Sequence, residues 1–365
     1  PADDREARMT APSPVSTRDA AAAPGSASAP AGASATVAAA PGPSGPMPPQ
    51  EALRALQFAV GRSVIGYEEV VRLLSISLVS EGHVLLEGVP GIAKTFLVRR
   101  FAECLKLSFK RIQFTPDMLP TDIIGAVVLN PTTTALEYRP GPIFANVILA
   151  DEINRAPPKV QSALLEAMQE HQVTVDGVPH PLPSPFIVIA TQNPIEQEGT
   201  YPLPEAELDR FLFRVLIGYP KEADEKTVIQ QHSRPAGPRI PAPAVDASVL
   251  DTYRDAALAL YMSDEVLAYI LAIIRGTRVD PKIMIGASPR AGVQFARAAK
   301  AEALFAGRSY VTPEDVKSVA FWVLNHRVAL QAELLAAAYS EGSGGLEPII
   351  REVLGANLSH RAVPK

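Results

Sequence analysis

The stretch His83-Val84-Leu85-Leu86-Glu87-Gly88-Val89-Pro90-Gly91-Ile92-Ala93-Lys94-Thr95 decides the fold. Its unbroken apolar run reads as a strand buried on both faces, the kind found in parallel sheets. A glycine-bearing turn follows, and Lys94-Thr95 opens a helix expected over Phe96–Leu107. Strand, turn and helix N-terminus in that order form an anion cradle, because backbone N–H groups and the positive end of the helix dipole face the same point. Gly88, Val89, Pro90, Gly91, Ile92 and Ala93 would supply the backbone of that cradle. Lys94 would reach the β- and γ-phosphates of a nucleotide, and the Thr95 hydroxyl would bind Mg²⁺. The strict pattern has Gly before the Lys. Ala93 stands there instead; it lacks a long side chain and allows close approach if its φ is negative. The competing reading is a tight strand-to-helix turn without a ligand.

Working outward, Phe109–Phe114, Asn146–Ala150, Phe186–Thr191 and Phe211–Ile217 join His83–Glu87 as strand candidates. Helical stretches between several of them predict an α/β core with a parallel sheet and helices on both faces. Ligands bind such sheets at the C-terminal ends of the strands, and two further candidates fall there. Val147–Ala150 runs into Asp151-Glu152, where Asp151 would hold Mg²⁺ through water and Glu152 would polarise the attacking water. Alone, two acids after a strand are a solvated loop; beside a phosphate loop they become specific. Asn193, in Gln192-Asn193-Pro194, is placed either to orient that water or to cap a turn before Pro194.

The flanks differ from this core. Ala and Pro make up 25 of the first 50 residues, with no aromatic among them. Such a segment buries too little apolar surface to offset its ordering entropy, so 1–49 is expected to be a disordered tail. Order is expected from Glu51, with a short helix to Gly61 and a second one over Val70–Leu78. The α/β nucleotide-binding domain would span 50–220. After Pro220 the strand signal stops, and a Pro-rich linker (Pro235, Pro238, Pro241, Pro243) leads to helical spacing at Val266, Tyr269, Ile270 and Ile273. Ser288-Pro289 and Thr312-Pro313-Glu314-Asp315 are helix starts. Residues 221–365 therefore read as an all-helical domain.

Composition narrows the function classes. The net charge of −5 and the lack of a Lys/Arg run weaken any reading centred on a nucleic-acid duplex. Cys104 is the single cysteine and lies on an apolar helix face, which makes it a core thiol rather than a nucleophile. No apolar stretch reaches the length of a membrane span, and the Ala-rich start has no secretory h-region, so a cytoplasmic location is expected.

Several separated motifs now resemble one family, the MoxR AAA+ ATPases. They are Gly88–Thr95, Gln113-Phe114-Thr115-Pro116-Asp117 and Asn146-Val147-Ile148-Leu149-Ala150-Asp151-Glu152-Ile153-Asn154-Arg155-Ala156-Pro157. That family also has Ala before the loop Lys. The resemblance covers about Ala55 to Leu354. It implies an AAA+ core with a C-terminal helical lid, ATP and Mg²⁺ as ligands, and assembly into a ring, expected to be hexameric. It implies that Asn193 is the sensor-1 residue, Arg210 the arginine finger, Arg290 the sensor-2 arginine, and Val64-Ile65-Gly66 the lining of the adenine pocket. Arg214 is the alternative finger. Pro289 suits a first helical position, which puts Arg290 in a first turn where the helix dipole disfavours a cation; a bound anion would account for it, and an exposed Arg is the other reading.

Two insertions resemble hairpins of this branch. One joins Val127–Leu129 to Ala135–Tyr138; the other joins Val173-Thr174-Val175 to Val178 through a primed two-residue turn at Asp176-Gly177. They would face a pore or client, or be surface decoration. The functional expectation is ATP hydrolysis that remodels or activates protein clients, with a von Willebrand factor A domain protein as the kind of partner the resemblance implies. A nucleic-acid-stimulated motor and a nucleotide-gated scaffold with little turnover are the alternatives. Glu152, Asn193 and Arg210 argue against the scaffold.

Overall fold

In chain order the strands of the α/β layer are β1 (Val84–Glu87), β2 (Phe109–Gln113), the pair β3 (Gly125–Leu129) and β4 (Leu136–Pro140), β5 (Val147–Asp151), the pair β6 (Gln172–Val175) and β7 (Val178–Pro181), β8 (Ile187–Gln192) and β9 (Phe213–Leu216). Five of them form one sheet in the order β2-β5-β8-β1-β9, and all its pairings are parallel. These are the five expected strands, each within about two residues of its expected limits. The structure is a computed structural model. It describes residues 47–89, 91–193, 199–233, 245, 247–334 and 346–359. The expected tail up to residue 46, Pro90, Pro194 and the linker prolines Pro235, Pro238, Pro241 and Pro243 lie outside the described residues.

Alternate residues of the buried strands feed two apolar clusters, one on each face, as the pleat requires. Leu85, Ile148, Ala150, Val188 and Ala190 pack against α5 (Pro158–Glu170) through Leu164, Leu165 and Met168. Val84, Leu86, Val147, Leu149, Ile187 and Ile189 face the other way, toward α1 (Pro49–Gly61), α2 (Glu68–Val79) and α3 (Lys94–Cys104); the short helices α4 (Pro120–Ile124) and α6 (Glu205–Leu208) also belong to this layer. Cys104 is fully buried in that cluster, and burial pushes its thiol up to about 11, so it stays protonated. The first helix begins at Pro49 rather than Glu51, since Pro is well tolerated at the first helical position. The Met47 carbonyl accepts a hydrogen bond from the Tyr253 hydroxyl. Residues 47–49 therefore belong to the folded part, which corrects the expected tail boundary.

The C-terminal region is built from α7 (Glu222–His232), α8 (Leu250–Ala259), α9 (Asp264–Val279), α10 (Pro289–Phe305), α11 (Pro313–Leu324) and α12 (Leu346–Ser359). Both expected starts are present: the Ser288 hydroxyl accepts from Ala291 N, and Thr312 with Asp315 forms a capping box. One short antiparallel pair is added, Ile283–Ile285 with Ala329–Leu330. At three and two residues it is too short for a period-2 pattern to register in sequence. The helical region shares the second apolar cluster, through Ala291, Phe295, Ala298, Val316 and Val319 among others.

The two insertions are hairpins. Asp176 and Gly177 have φ of 48° and 79°, the two positive values that the primed turn demands. Tyr138 of β4 stacks on His180 of β7 with ring centroids 4.1 Å apart, so the hairpins are packed together. Leu129, Leu136 and Val178 stand exposed on them.

Candidate active site

Three neighbouring strands of the sheet end at one crevice. The phosphate-loop segment follows β1, Asp151 closes β5, and Asn193 comes directly after β8. Backbone shape explains the loop residues. A Cβ on Gly88 would lie 2.4 Å from the Ile217 carbonyl oxygen, so only Gly fits there, and Gly91 has φ of 86°. Ala93 has φ of 62°, so the condition of a negative φ is not met. The chain must turn through the left-handed region to enter α3 with its N–H groups facing the crevice, and Ala tolerates this at a cost of roughly 1–2 kcal/mol.

Lys94 Nζ donates to the Gly88 carbonyl at 2.5 Å, folded back over its own loop. Partial burial lowers its pKa, against the attraction of Asp151, Glu152 and Glu87. Asp151 is buried and accepts from Thr191 Oγ1 at 2.6 Å, Arg111 Nε at 2.8 Å and Thr95 Oγ1 at 3.3 Å. Glu152 also lies in the left-handed region, with φ of 58°; its N–H donates to Thr191 Oγ1, and its carboxylate accepts from Gln113 Nε2 at 2.8 Å and Arg155 Nη1 at 3.1 Å. Asn193 is buried at the adjacent strand end. Val64 is buried, Ile65 half-buried and Gly66 exposed, and the next residue ties them to the loop: the Tyr67 hydroxyl donates to the Ile92 carbonyl at 3.3 Å. Pro90 alone of the loop lies outside the described residues.

Hard oxygen donors suit Mg²⁺, which takes one or two carboxylates plus substrate phosphate oxygens and keeps several waters. Thr95 Oγ1 and the Asp151 carboxylate, already within 3.3 Å of each other, fit that description.

The arginines are elsewhere. Arg210 precedes β9, whose Phe213 pairs with Val84 at the start of β1, so it sits at the opposite edge of the sheet from Gly88. Four residues of extended strand, roughly 13 Å, separate the two edges. Arg290, in the first turn of α10, lines one cleft of about 390 Å³ with Arg210, Glu81, His83, Gln169 and Arg297. Arg290 Nη2 donates to Gln169 Oε1 at 3.2 Å. Arg214 instead faces the phosphate end of its own chain, where it pairs with Glu87 at 2.6 Å. Within one chain, Lys94, Thr95, Asp151, Glu152 and Asn193 therefore come together, and Arg210 and Arg290 come together apart from them.

Two features escaped sequence reading. Arg111, Gln113 and Thr191 hold the acidic pair, and only strand register brings them there. Arg327 is the other: its side chain is 1% exposed, and it pairs with Asp209 at 2.8 Å beside Arg210. Burial pushes it down to about 10, with Asp209 opposing and Arg290 adding to the shift.

The comparisons with known proteins agree with this geometry. A model of the ATPase family associated with various cellular activities (AAA) matches residues 83–213, and an AAA lid domain model matches 275–342. The chain is 44% identical over 290 residues to Chaperone MoxR1 of Mycobacterium tuberculosis, with 76% of each chain covered. The chain belongs to the MoxR family of AAA+ ATPases. It is also 31% identical over 306 residues to Protein MoxR of Methylorubrum extorquens, covering 77% of this chain and 89% of that one. A Bacillus subtilis relative of uncharacterized function, YeaC, is 45% identical over 299 residues (81% and 91% covered). A crystal structure of a candidate ATPase from Cytophaga hutchinsonii superposes with a TM-score of 0.78 at 39% identity, over 87% of this chain and 96% of that one. The MoxR fold thus accounts for both the sheet and the helical lid. Among the described residues no helix is long and apolar enough to cross a membrane.

Proposed function

We propose that this MoxR-family chain hydrolyses ATP as one subunit of a ring, expected to hold six copies, and uses the cycle to remodel or activate a protein client. The observation that carries the reading is the division of one sheet into two unlike edges. Lys94, Thr95, Asp151 and Glu152 lie at one edge, Arg210 and Arg290 at the other. A chain so built completes its site with a neighbour's arginines.

In this reading the loop N–H groups and Lys94 grip the phosphates, and Val64-Ile65-Gly66 border the base. Thr95 and Asp151 hold Mg²⁺, which neutralises charge on the phosphate oxygens when bound. Glu152 polarises the attacking water, and Asn193 orients it. Arg210 of the next subunit meets the charge that develops on the transferring phosphoryl group, and Arg290 supports it from the same cleft. The name of the Mycobacterium relative supports a chaperone-like role. The paired hairpins with exposed Leu129, Leu136 and Val178 offer an apolar surface for a protein client. A von Willebrand factor A domain protein is the kind of partner to seek first.

Lys94→Ala should abolish ATP binding. Glu152→Gln should keep it and lose about 10²- to 10⁴-fold in turnover, the range for a general base. Wild-type hydrolysis by Glu152→Gln would end the base assignment. The same variant, locked with ATP, is the bait for recovering the client.

A further inference from the structure

We infer that Arg327, with its neighbours Asn325 and His326, positions the Arg210 finger and registers it against Arg290, so that lid and finger move as one body. The inference rests on the proposed role of Arg210. These three consecutive residues follow α11 in the lid, more than a hundred positions along the chain from the segment they hold. Their bonds fall on the backbone that flanks Arg210. The Arg327 guanidinium donates to the Asp209 carboxylate at 2.8 Å, the Asp209 carbonyl at 3.1 Å, the Leu212 carbonyl at 3.1 Å and the Phe211 carbonyl. His326 Nε2–H donates to the same Phe211 carbonyl at 3.0 Å, and Asn325 Nδ2 donates to the Arg214 carbonyl at 3.0 Å. Burial and the adjacent Arg327 charge hold His326 well below the usual imidazole range.

A planar guanidinium is suited to this work because its donors diverge in fixed directions from one rigid group. Carbonyls on both sides of Arg210 converge on it. Rotating the segment would strand buried polar groups, which folded proteins avoid. A buried ion pair is weak evidence for stability as such, since apolar residues of like volume serve as well. What the arrangement supplies is a fixed geometry, and it is concentrated where geometry matters to a finger.

Asp209 also joins the two arginines of the cleft. Its second carboxylate oxygen accepts from Ser288 Oγ at 2.9 Å, and Ser288 caps the helix that carries Arg290. On that helix Gln294 accepts from Arg327 and donates to the Arg210 carbonyl at 3.5 Å. Any swing of the lid therefore carries Arg290 and Arg210 together.

The test uses Arg327→Lys, which keeps the charge but not the fork, and Asp209→Asn as a second variant in case the first folds poorly. Steady-state ATPase and nucleotide affinity are measured on assembled full-length protein, beside Arg210→Ala and the double variant Arg210→Ala/Arg327→Lys. We expect kcat to fall about 10²-fold in each clamp variant, the size of effect that a misplacement of about 1 Å produces. KM and nucleotide affinity should change less than about threefold, since the clamp lies away from the chain's own phosphate loop. Arg210→Ala should mask the clamp, with no further loss in the double variant. Losses that multiply, or a kcat unchanged in folded clamp variants while Arg210→Ala is inactive, would overturn the clamp and leave the finger standing. Wild-type turnover by Arg210→Ala would remove the finger reading and the clamp with it.

Discussion

The phosphate edge and the arginine edge of the central sheet are assembled by opposite means. At the phosphate edge Asp151, Glu152 and Asn193 sit at or next to the end of their strands, Lys94 and Thr95 open the helix that follows β1, and the side chains satisfy one another: Thr95, Arg111 and Thr191 on Asp151, Gln113 and Arg155 on Glu152. At the arginine edge the parts come from separate segments, around Asp209, Ser288 and Arg327. Among the described residues neither Arg210 nor Arg290 has an ion pair. Asp209, next to Arg210 in the chain, is taken by Arg327 and Ser288, and Glu81 of the same cleft pairs with Arg254. In the proposed reading the difference makes one edge a finished grip and the other a held-out reagent, which is how a site shared between copies would be divided.

The sharpest way to break this comparison is to exchange which arginine is lost. Arg210→Ala should cost about 10³- to 10⁵-fold in turnover, roughly 4–7 kcal/mol of barrier, with ATP affinity held within about threefold. Arg214→Ala removes an ion pair on the chain's own phosphate side. It should lower stability by about 1–3 kcal/mol, as for a partly buried charged hydrogen bond, and turnover by less than about tenfold. Equal losses of turnover in the two variants would erase the distinction between the edges.

Acid should strike the arginine edge next. His83 is buried there as a neutral imidazole that donates from Nε2 to the Met168 carbonyl and accepts at Nδ1 from Val188 N–H. Burial pushes it down to about 4. The unfolded chain, with the ordinary imidazole value of 6.5, binds more protons between these limits. The stability it contributes is therefore complete above about pH 6.5 and is lost as pH falls toward 4. From His83 alone we expect about 2 kcal/mol less stability at pH 5 than at pH 8, and His326 acts in the same direction. Denaturant melts of wild type and His83→Gln across this range give the difference; parallel curves would show that His83 titrates normally.

The smallest effect expected is at the phosphate edge. Ala93→Gly relieves a left-handed Ala worth roughly 1–2 kcal/mol, offset by about 0.5–1 kcal/mol of unfolded-chain entropy. A net gain of up to about 1.5 kcal/mol in denaturant melts follows, with nucleotide affinity unchanged. A loss of stability instead would mean the backbone there is not strained.

The uneven legibility of the two edges follows from the same contrast. The inner strands β1, β5 and β8 were readable because strands buried on both faces must be apolar along nearly their whole length, as Val147–Ala150 is. That Lys94 and Thr95 come together with Asp151 and Glu152 was readable because each pair stands in consecutive residues after a strand of one parallel sheet. The φ of Ala93 was not, since Ala does not announce a left-handed turn as Gly does. Arg111 and Thr191 carried no signal of their own, because nothing in sequence shows that β2 and β8 both border β5.

By itself the sequence determined the strand-turn-helix that runs from β1 into Lys94-Thr95, the helix starts at Ser288 and Thr312, and the hairpin turn at Asp176-Gly177. Each depends on neighbours a few residues apart, so local sterics and hydrogen bonding suffice. Only the tertiary structure decided that Arg210 and Arg290 share a cleft across the sheet from Lys94, that Arg214 serves Glu87, and that Arg327 is buried against Asp209. A charged side chain reads as exposed until a fold supplies the carbonyls and the carboxylate that let it be buried, and those here come from more than a hundred residues away.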